Sequence, residues 1–487
     1  MITYQEFLAT YENGLPTASG VESVVMDHKA SPEYELAVIA DQYDRQKNAT
    51  IMAFKKYIHT VTGASIVDPY AANHKIPSNM FRRLNVQRTQ YSLGNGLSFQ
   101  DKAIKDKFGK EFDATVQKIG YAANIHGLAF GFWNLDRLYC FRLTEFAPIY
   151  DENTGMLMAG VRFWQVNDNQ PLNMWLYTVD GIMRFTKKNG DQSAKALDTL
   201  FTPYVGIVTK TQADGEQITG GENYPTLPIV PLWGSELKQS TLVGMREGVD
   251  AYDLIRSGLA NDLTEAAFVF WFVNNVQGMN ETDKSEWLDK LRKTHVAITE
   301  GDGSGGGSSV TPYTQDVPHE ARTAYLDRIK AGLYEDFGGL DVHTIAAGST
   351  NDHIDAAYQP LDENADDFEY QVIEFVQGLG ELQGIEEDKA TPIFKRNRIS
   401  NQLEQTQMVL SAGSYLPATT VRKHLPFISV DEIEEIEKEL ANEEVARYRA
   451  LEEELNAIKA EKTATPDQPA QLKEQTEQPA QQPESNQ

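Results

Sequence analysis

Cysteine is nearly absent from this chain: Cys140 is the single one among 487 residues. One thiol permits no intramolecular disulfide and no multi-cysteine zinc site. Its setting, "LYCFRL", is apolar and aromatic, which suits a buried small hydrophobe. Histidine is sparse too, with nine spread along the chain and no spacing that would gather a metal. Basic residues fall short: 44 Lys and Arg stand against 71 Asp and Glu, a formal charge of −27. That balance argues against a protein that wraps nucleic acid, because duplex binding rests on Lys and Arg neutralising phosphates. It does not argue against one that nucleic acid must pass without sticking. Long hydrophobic runs are missing as well. The most apolar stretch, Ala266 to Val273, has eight residues, whereas a membrane-spanning helix needs about 20. The opening "MITYQEFLATYENG" lacks a basic region followed by an apolar one, so no signal peptide is expected. The Asn48-Ala-Thr50 and Asn280-Glu-Thr282 triplets then read as chance glycosylation matches.

Catalytic motifs are also lacking. "GDGSGG" at 301–306 has the spacing of a dinucleotide loop, but a β-like "SVTPYT" follows where a helix is required. No G-x-x-x-x-G-K-[ST] phosphate cradle occurs. "HEART", His319 to Thr323, begins like a zinc helix but has Thr323 where the second histidine belongs. His343 and His353 flank a small polar stretch, and Asp352 or Asp355 is available to orient one of them. A nucleophile to complete the set is missing, so exposed loop histidines is the plainer reading. Neither an enzyme nor a cofactor is expected.

What is present is a long alternation of textures. Residues 1 to about 126 read as mainly helical. "EYELAVIADQYDRQ" puts Leu36, Ile39, Ala40 and Tyr43 at helical spacing. Ser78 is a candidate cap for a helix that closes at Gly94-Asn95-Gly96. From Gly127 to about Pro231, short aromatic and β-branched runs alternate with turns such as Asp180-Gly181. These predict an antiparallel meander covered on one side by the earlier helices, an α+β layering. Pro225, Pro228 and Pro231 then break the pattern.

A long helix follows from about Leu242. Val249, Tyr252, Ile255, Leu259, Leu263 and Ala266 make its apolar stripe, with Asp250, Asp253, Asn261, Asp262 and Glu265 elsewhere. Some 25 residues give a rod on the order of 37 Å. Gly248 and Gly258 weaken it in isolation, so packing must support it. A second long helix from Pro318 carries Leu326, Ile329, Leu333 and Phe337 and ends at Gly338-Gly339. Between them an insert of about 50 residues holds the apolar run as a strand, a short helix with Trp287, Leu288 and Leu291, a strand "THVAIT", a glycine-rich loop and a strand "SVTPYTQ".

A third long helix is expected from about Pro360, with Leu361, Ala365, Phe368, Val372, Phe375 and Leu379 on one face. Shorter helices are expected over 394–412 and 418–425. "SVDE" at Ser429 is a capping box for an acidic helix to Lys462, which carries 12 acidic and five basic residues from Asp431. From Thr463 the chain has four prolines, seven glutamines and Leu472 as its one large apolar residue. It cannot bury enough surface to order itself.

In combination these pieces resemble the portal proteins of tailed bacteriophages. Three stretches carry the resemblance. "LPIVPLWGS…EGVDAYDLIRSGLANDLTEAA" looks like the family's proline-rich lead into its first stem helix. "FRRLNVQRTQYSLGNGLSF" is similar to its N-terminal helix and Tyr-x-x-Gly turn. "LPATTVRKHLPFISVDEIEEIEKEL" is similar to its C-terminal segment. The resemblance covers about residues 30–460. It implies a portal-like α+β fold, mainly helical. The parts would be a wing over 1–240, stem helices at 241–266 and 318–338, a clip at 267–317, a tunnel loop at 339–358, a wing helix at 359–384 and a crown at 385–462, with a disordered tail at 463–487. It also implies a structural ring, twelve-fold in the family, at one capsid vertex, through which double-stranded DNA is packaged and ejected. Implied partners are further copies of the chain, the terminase motor, the major capsid and scaffolding proteins and head–tail connector proteins, with no membrane. The glycine-rich 301–309 loop is long for the family's clip. Candidates to line the channel are His343, Ser349, Thr350, Asn351, Asp352 and His353. "AAGSTNDH", Ala346 to His353, is small and polar, and a buried connection would have to satisfy its backbone groups. The alternatives from other classes are a virion-associated nuclease and a generic ring-forming connector or scaffold protein.

Overall fold

A computed structural model describes residues 2–59, 64–68, 71–211, 217–266, 270–274, 296–298, 309–313, 319–345, 350–396, 398, 402–413, 415, 417, 420–421 and 430–463. The chain forms two compact units, Met1–Ile399 and Ser400–Gln487.

The first 126 residues are mainly helical, as their periodicity predicts. Ala18–Lys29 is capped by Thr17 and Pro32–Asp44 by Ser31, whose side chains accept from Gly20 N and Tyr34 N. In the second of these, Pro32 fills the first position, where its missing N–H costs nothing. Met80–Leu93 ends at Gly94 and a turn through Gly96, at φ +73°. Ser78 does not cap it. The preceding residue is Asn79, which makes no side-chain cap bond, and Ser78 spends its backbone N–H on Asp253 instead. Phe112–His126 stops at Gly127, φ +86°, where a Cβ would sit 2.6 Å from the Gln239 backbone.

The strand region is not one meander but three sheets, of which one is the two-stranded pair Val205–Thr211 with Gln217–Glu222. Five strands run Lys195–Ala196, Gly181–Lys187, Leu172–Thr178, Leu157–Trp164, Phe146–Tyr150, all antiparallel. Their inner face, including Ile149, Val161, Met174 and Phe185, packs on Phe7, Val21, Val24 and Val25 of the N-terminal helices. The third sheet is Ile229–Trp233, Leu128–Asn134, Arg137–Arg142. Its central strand is covered on both faces, which the one-sided expectation missed. Leu128, Phe130 and Phe132 enter one core; Ala129 and Trp133, offset by one residue, enter another. Gly131 is required there, because a Cβ would come within 2.5 Å of the Phe375 ring. The proline-rich segment is itself the edge strand. Pro231 pairs opposite Phe130 on an edge, the one place in a sheet that tolerates its missing N–H.

The first long helix is Arg246–Ala266; Leu242–Met245 lead in as turns. The second is His319–Phe337, closed by Gly338 at φ +67° with Gly339 N–H donating to Tyr334 O. The two pack together through Gly248, whose bare Cα admits Leu333, and through the Arg322–Asp262 ion pair. Between them Phe270–Asn274 pairs parallel with Val296–Ile298 and antiparallel with Ser309–Tyr313. The apolar run therefore does contain a strand. The expected helix around Trp287 and the glycine-rich 301–308 segment lie outside the described residues.

The third long helix runs Asn351–Leu382, nine residues earlier than expected, with Pro360 inside it. Proline reads as a start signal because it lacks an N–H and crowds the carbonyl four residues back. Here tertiary packing on both sides of Pro360 outweighs that cost, since Ile354 and Tyr358 before it and Leu361 after it share one buried cluster. Beyond it, Ile393–Phe394 pairs with Leu97–Ser98, so the segment from 394 begins as a strand end and the helix starts only at Gln402. The second unit contains Gln402–Ala412 and Val430–Thr463. The Ser429 cap, most of 418–425 and the tail from 464 lie outside the described residues. Among the described residues no helix is long and apolar enough to cross a membrane.

Candidate functional site

The segment joining the second and third long helices is held at both ends by the same small core. Past Gly339, Leu340 is buried and its two backbone groups bond the single amide of Gln87: Nε2 donates to Leu340 O at 2.8 Å, and Leu340 N donates to Oε1 at 3.0 Å. Asp341 then caps a short 3-10 turn, Val342–Thr344. It also receives Lys330 Nζ at 2.9 Å. Burial pushes its carboxyl upward, but the Lys330 contact and the His343 N–H outweigh that and hold it below the ordinary range. Ile345 packs on the cluster of Leu340, Tyr91, Ile354, Tyr358, Leu361 and Ala365. The chain re-enters the description at Thr350, whose hydroxyl accepts from His353 N and caps the third helix.

Of the six candidate residues, Ser349 lies outside the described residues. His343 sits in the 3-10 turn; Thr350, Asn351, Asp352 and His353 form the helix start rather than a loop. Thr350, Asp352 and both histidines are exposed, and Asn351 is half-buried. The histidines bond through their backbone N–H groups, to Asp341 and to Thr350. Among the described residues, no group of three or more His, Cys, Asp or Glu is placed to hold a metal. "AAGSTNDH" was legible as small and polar; that its second half is helical was not, because the capping threonine precedes a proline that suggests a later start.

A second arrangement escaped the sequence entirely. Beyond Val249, which sits in an apolar core, the buried face of the first long helix is polar. Asp253, Ser257 and Asn261, one turn apart, are 0%, 2% and 1% exposed. An extended strap over 74–78 lies along them and donates every second backbone N–H. Ser78 N reaches Asp253 Oδ1 at 2.7 Å, Ile76 N reaches Ser257 Oγ at 3.0 Å, and His74 N reaches Asn261 Oδ1 at 2.6 Å. The spacings match: two extended residues advance about 6.6 Å and four helical residues about 6 Å. Asn48 Nδ2 also donates to Asp253, and Asp250 accepts from Tyr43 at 2.5 Å and Thr50 at 2.6 Å. Burial, with Asp250 nearby, raises the Asp253 carboxyl above its ordinary range despite these bonds. Of the expected stripe, Val249 is buried in the apolar core, while the positions after it turn away from the strap. Tyr252, Ile255 and Leu259 are half-buried, and Leu263 is 56% exposed. An open cleft between the two long helices is lined by Ile255, Gly258, Asp262, Ala321, Arg322 and Tyr325.

The arrangement offers paired rods, a polar strap and an exposed helix start, and no reactive constellation among the described residues. The family described as "Phage portal protein, SPP1 Gp6-like" matches residues 37–446, and the chain belongs to that family. It is thus a phage portal protein, a structural and non-enzymatic component of the capsid vertex that serves genome packaging. Two portal proteins are similar to it. That of Clostridium phage phiCD119 is 27% identical over 229 residues, covering 46% of this chain and 50% of that protein. That of Bacillus phage SPP1 is 22% identical over 435 residues, covering 79% and 80%. The match thus spans about half the length of the first relative and four-fifths of the second. Membership of the family implies, in general terms, an oligomeric ring and dealings with DNA and a terminase.

Proposed function

We propose that this chain closes into a ring of twelve copies at one capsid vertex, in the virion, with double-stranded DNA passing along its axis during packaging and ejection. The observation that carries the ring is the uncovered apolar surface of the two long helices. Leu263 and Tyr325, 56% and 53% exposed, stand beside the open cleft, while the first rod is bonded to the strap and the second buries Leu333, Tyr334 and Phe337. A neighbouring copy is the occupant this suits, since repeated rods pack side by side in cyclic assemblies. These helices are the stem in this reading and the small three-stranded module between them the clip. The clip then serves as the docking site for the terminase motor and, later, for head–tail connector proteins. The α+β part to 240 and the segment 359–384 form the wing, and 385–462 the crown, with capsid and scaffolding proteins as further partners.

The segment 339–358 is then the channel wall. A helix start is by nature an anion site, with free N–H groups and a positive dipole end. Here Thr350 occupies one of those donors and Asp352 places a negative charge in the first turn. Phosphates meet no lodging point, and a chain of formal charge −27 adds repulsion wherever it lies within a Debye length of roughly 8 Å. Asp352→Lys reverses this and turns every helix start in the ring into a phosphate site. The expected result is intact rings whose in-vitro packaging is slowed most at low salt. Unimpaired packaging at low salt by intact mutant rings would remove Asp352 from the channel wall. Rings are read separately by electron microscopy; a protein that stays monomeric at all concentrations would refute the assembly itself.

A further inference from the structure

The third long helix is interrupted chemically at Pro360, which donates no N–H to Ala356 and crowds its carbonyl. The part after it is bolted into the main core through Phe368, Val372, Phe375, Val376 and Leu379. The part before it, residues 351–359, is an arm of two and a half turns whose inward contacts are Ile354, Ala357 and Tyr358. Four carboxylates line one face across the interruption: Asp355 on the arm, and Asp362, Asp366 and Glu369 on the body. Two arginines beyond the short strand Ile393–Phe394, Arg396 and Arg398, meet them. Arg396 serves the body alone. Its Nε reaches Glu369 Oε1 at 3.0 Å, one terminal nitrogen reaches Asp362 Oδ1 at 2.9 Å, and the other meets Glu369 Oε2 at 2.9 Å and Asp366. Arg398 straddles. One terminal nitrogen reaches Asp355 Oδ1 at 3.3 Å, the other meets Asp362, and Nε donates to Tyr91 OH at 2.8 Å. Its guanidinium also lies over the Tyr358 ring, 5.7 Å from the centroid.

We propose that Arg398 is a positioning residue that braces the arm 351–359 across Pro360 and so sets where Asp352 and His353 stand. A planar fork suits this task because it holds two carboxylates and a phenol in one plane; an ammonium is a single point charge. The segment bearing it is itself fixed. Ile393–Phe394 pairs with Leu97–Ser98, and Asn95 Nδ2 donates to Lys395 O at 2.8 Å. Arg398 is also held from the body side, by Asp362 and by Tyr91 of the helix Met80–Leu93, independently of the arm. The Asp355 side chain is 65% exposed, so this contact is weak and readily released, as a setting of position rather than a lock. That the arm matters for DNA passage rests on the channel reading above; the brace itself does not.

The test is hydrogen–deuterium exchange on the assembled full-length protein. Asp355→Asn removes the arm's ion pair and leaves Arg398 bound to Asp362 and Tyr91 and over the Tyr358 ring. It should speed exchange of the 354–359 amides about two- to five-fold, as loss of an exposed ion pair implies, and leave the 364–376 amides unchanged. Arg398→Lys should do the same while keeping the charge. In the wild type, added salt should speed the arm amides; in Asp355→Asn it should not. Unchanged arm exchange in both variants would overturn the brace. So would acceleration spread equally over 364–376, which would mark general loosening of the helix. Packaging by the same variants is a separate readout: loosened arms with normal packaging would keep the brace and reject the channel reading.

Discussion

The strap over 74–78 gives a graded test of what holds the first long helix in place. Ser257→Ala removes one acceptor and leaves Ile76 N–H facing a methyl group, 2% exposed in the parent. An unsatisfied buried donor costs about 1–2 kcal/mol here, within the usual range of 1–3. Exchange of the Ile76 amide should therefore rise about 5- to 30-fold. Asp253→Ala strips two donors, Ser78 N–H and Asn48 Nδ2, and should cost more, about 2–4 kcal/mol. The carboxylate it removes is itself disfavoured by burial, which puts the cost toward the lower end of that range. With its folded value raised, Asp253 withdraws stability as pH rises through that value. Asp253→Ala should thus be relatively less harmful at neutral pH than under acid. Thermal melts would be complicated by dissociation of an oligomer, so amide exchange at 74–78 is the assay of choice. A Ser257→Ala protein with unaltered exchange at Ile76, or an Asp253→Ala protein milder than Ser257→Ala at every pH, would refute the account of a strap held by side-chain acceptors.

Gly248→Val should cost about 1–3 kcal/mol through overpacking, since even a Cβ there stands 2.8 Å from the Leu333 side chain; amide exchange in the two helices as slow as in the parent would contradict their close approach. Asp362 is pushed up by burial but held below the ordinary carboxylate range by Tyr91, Arg398 and Arg396. Its stabilising contribution is complete above the unfolded value of about 3.9 and is lost as pH falls through the lower folded value. Amides of 354–366 should therefore loosen in acid in the wild type and much less in Asp362→Asn, and equal acid sensitivity of the two would count against the network. Truncation after Lys462 should leave ring assembly unchanged, because 463–487 offers Leu472 as its one large apolar anchor; loss of the ring on size-exclusion chromatography would reverse that reading.

Local chemistry carried much of this protein into its sequence. Apolar spacing placed the helices around Leu36 and Leu333, and Gly338-Gly339 marked an end that needs a left-handed residue. Alternating aromatic runs marked the strands, and the order of three motifs pointed to the portal family. These signals are readable because each depends on neighbours within one or two turns. What depends on distant partners was not readable. Pro231 becomes a strand residue because Leu128–Asn134 offers an edge. Pro360 sits inside a helix because Ile354 and Leu361 share a core. Asn79, not Ser78, precedes the helix that starts at Met80, and the Ser78 N–H donates to Asp253. The first long helix turns Asp253, Ser257 and Asn261 inward, against every hydrophobicity rule, because a strap some 180 residues earlier in the chain brings donors that water can no longer reach. Hydrophobic pattern decides which residues prefer burial, but only the tertiary structure decides which backbone groups must find partners once buried.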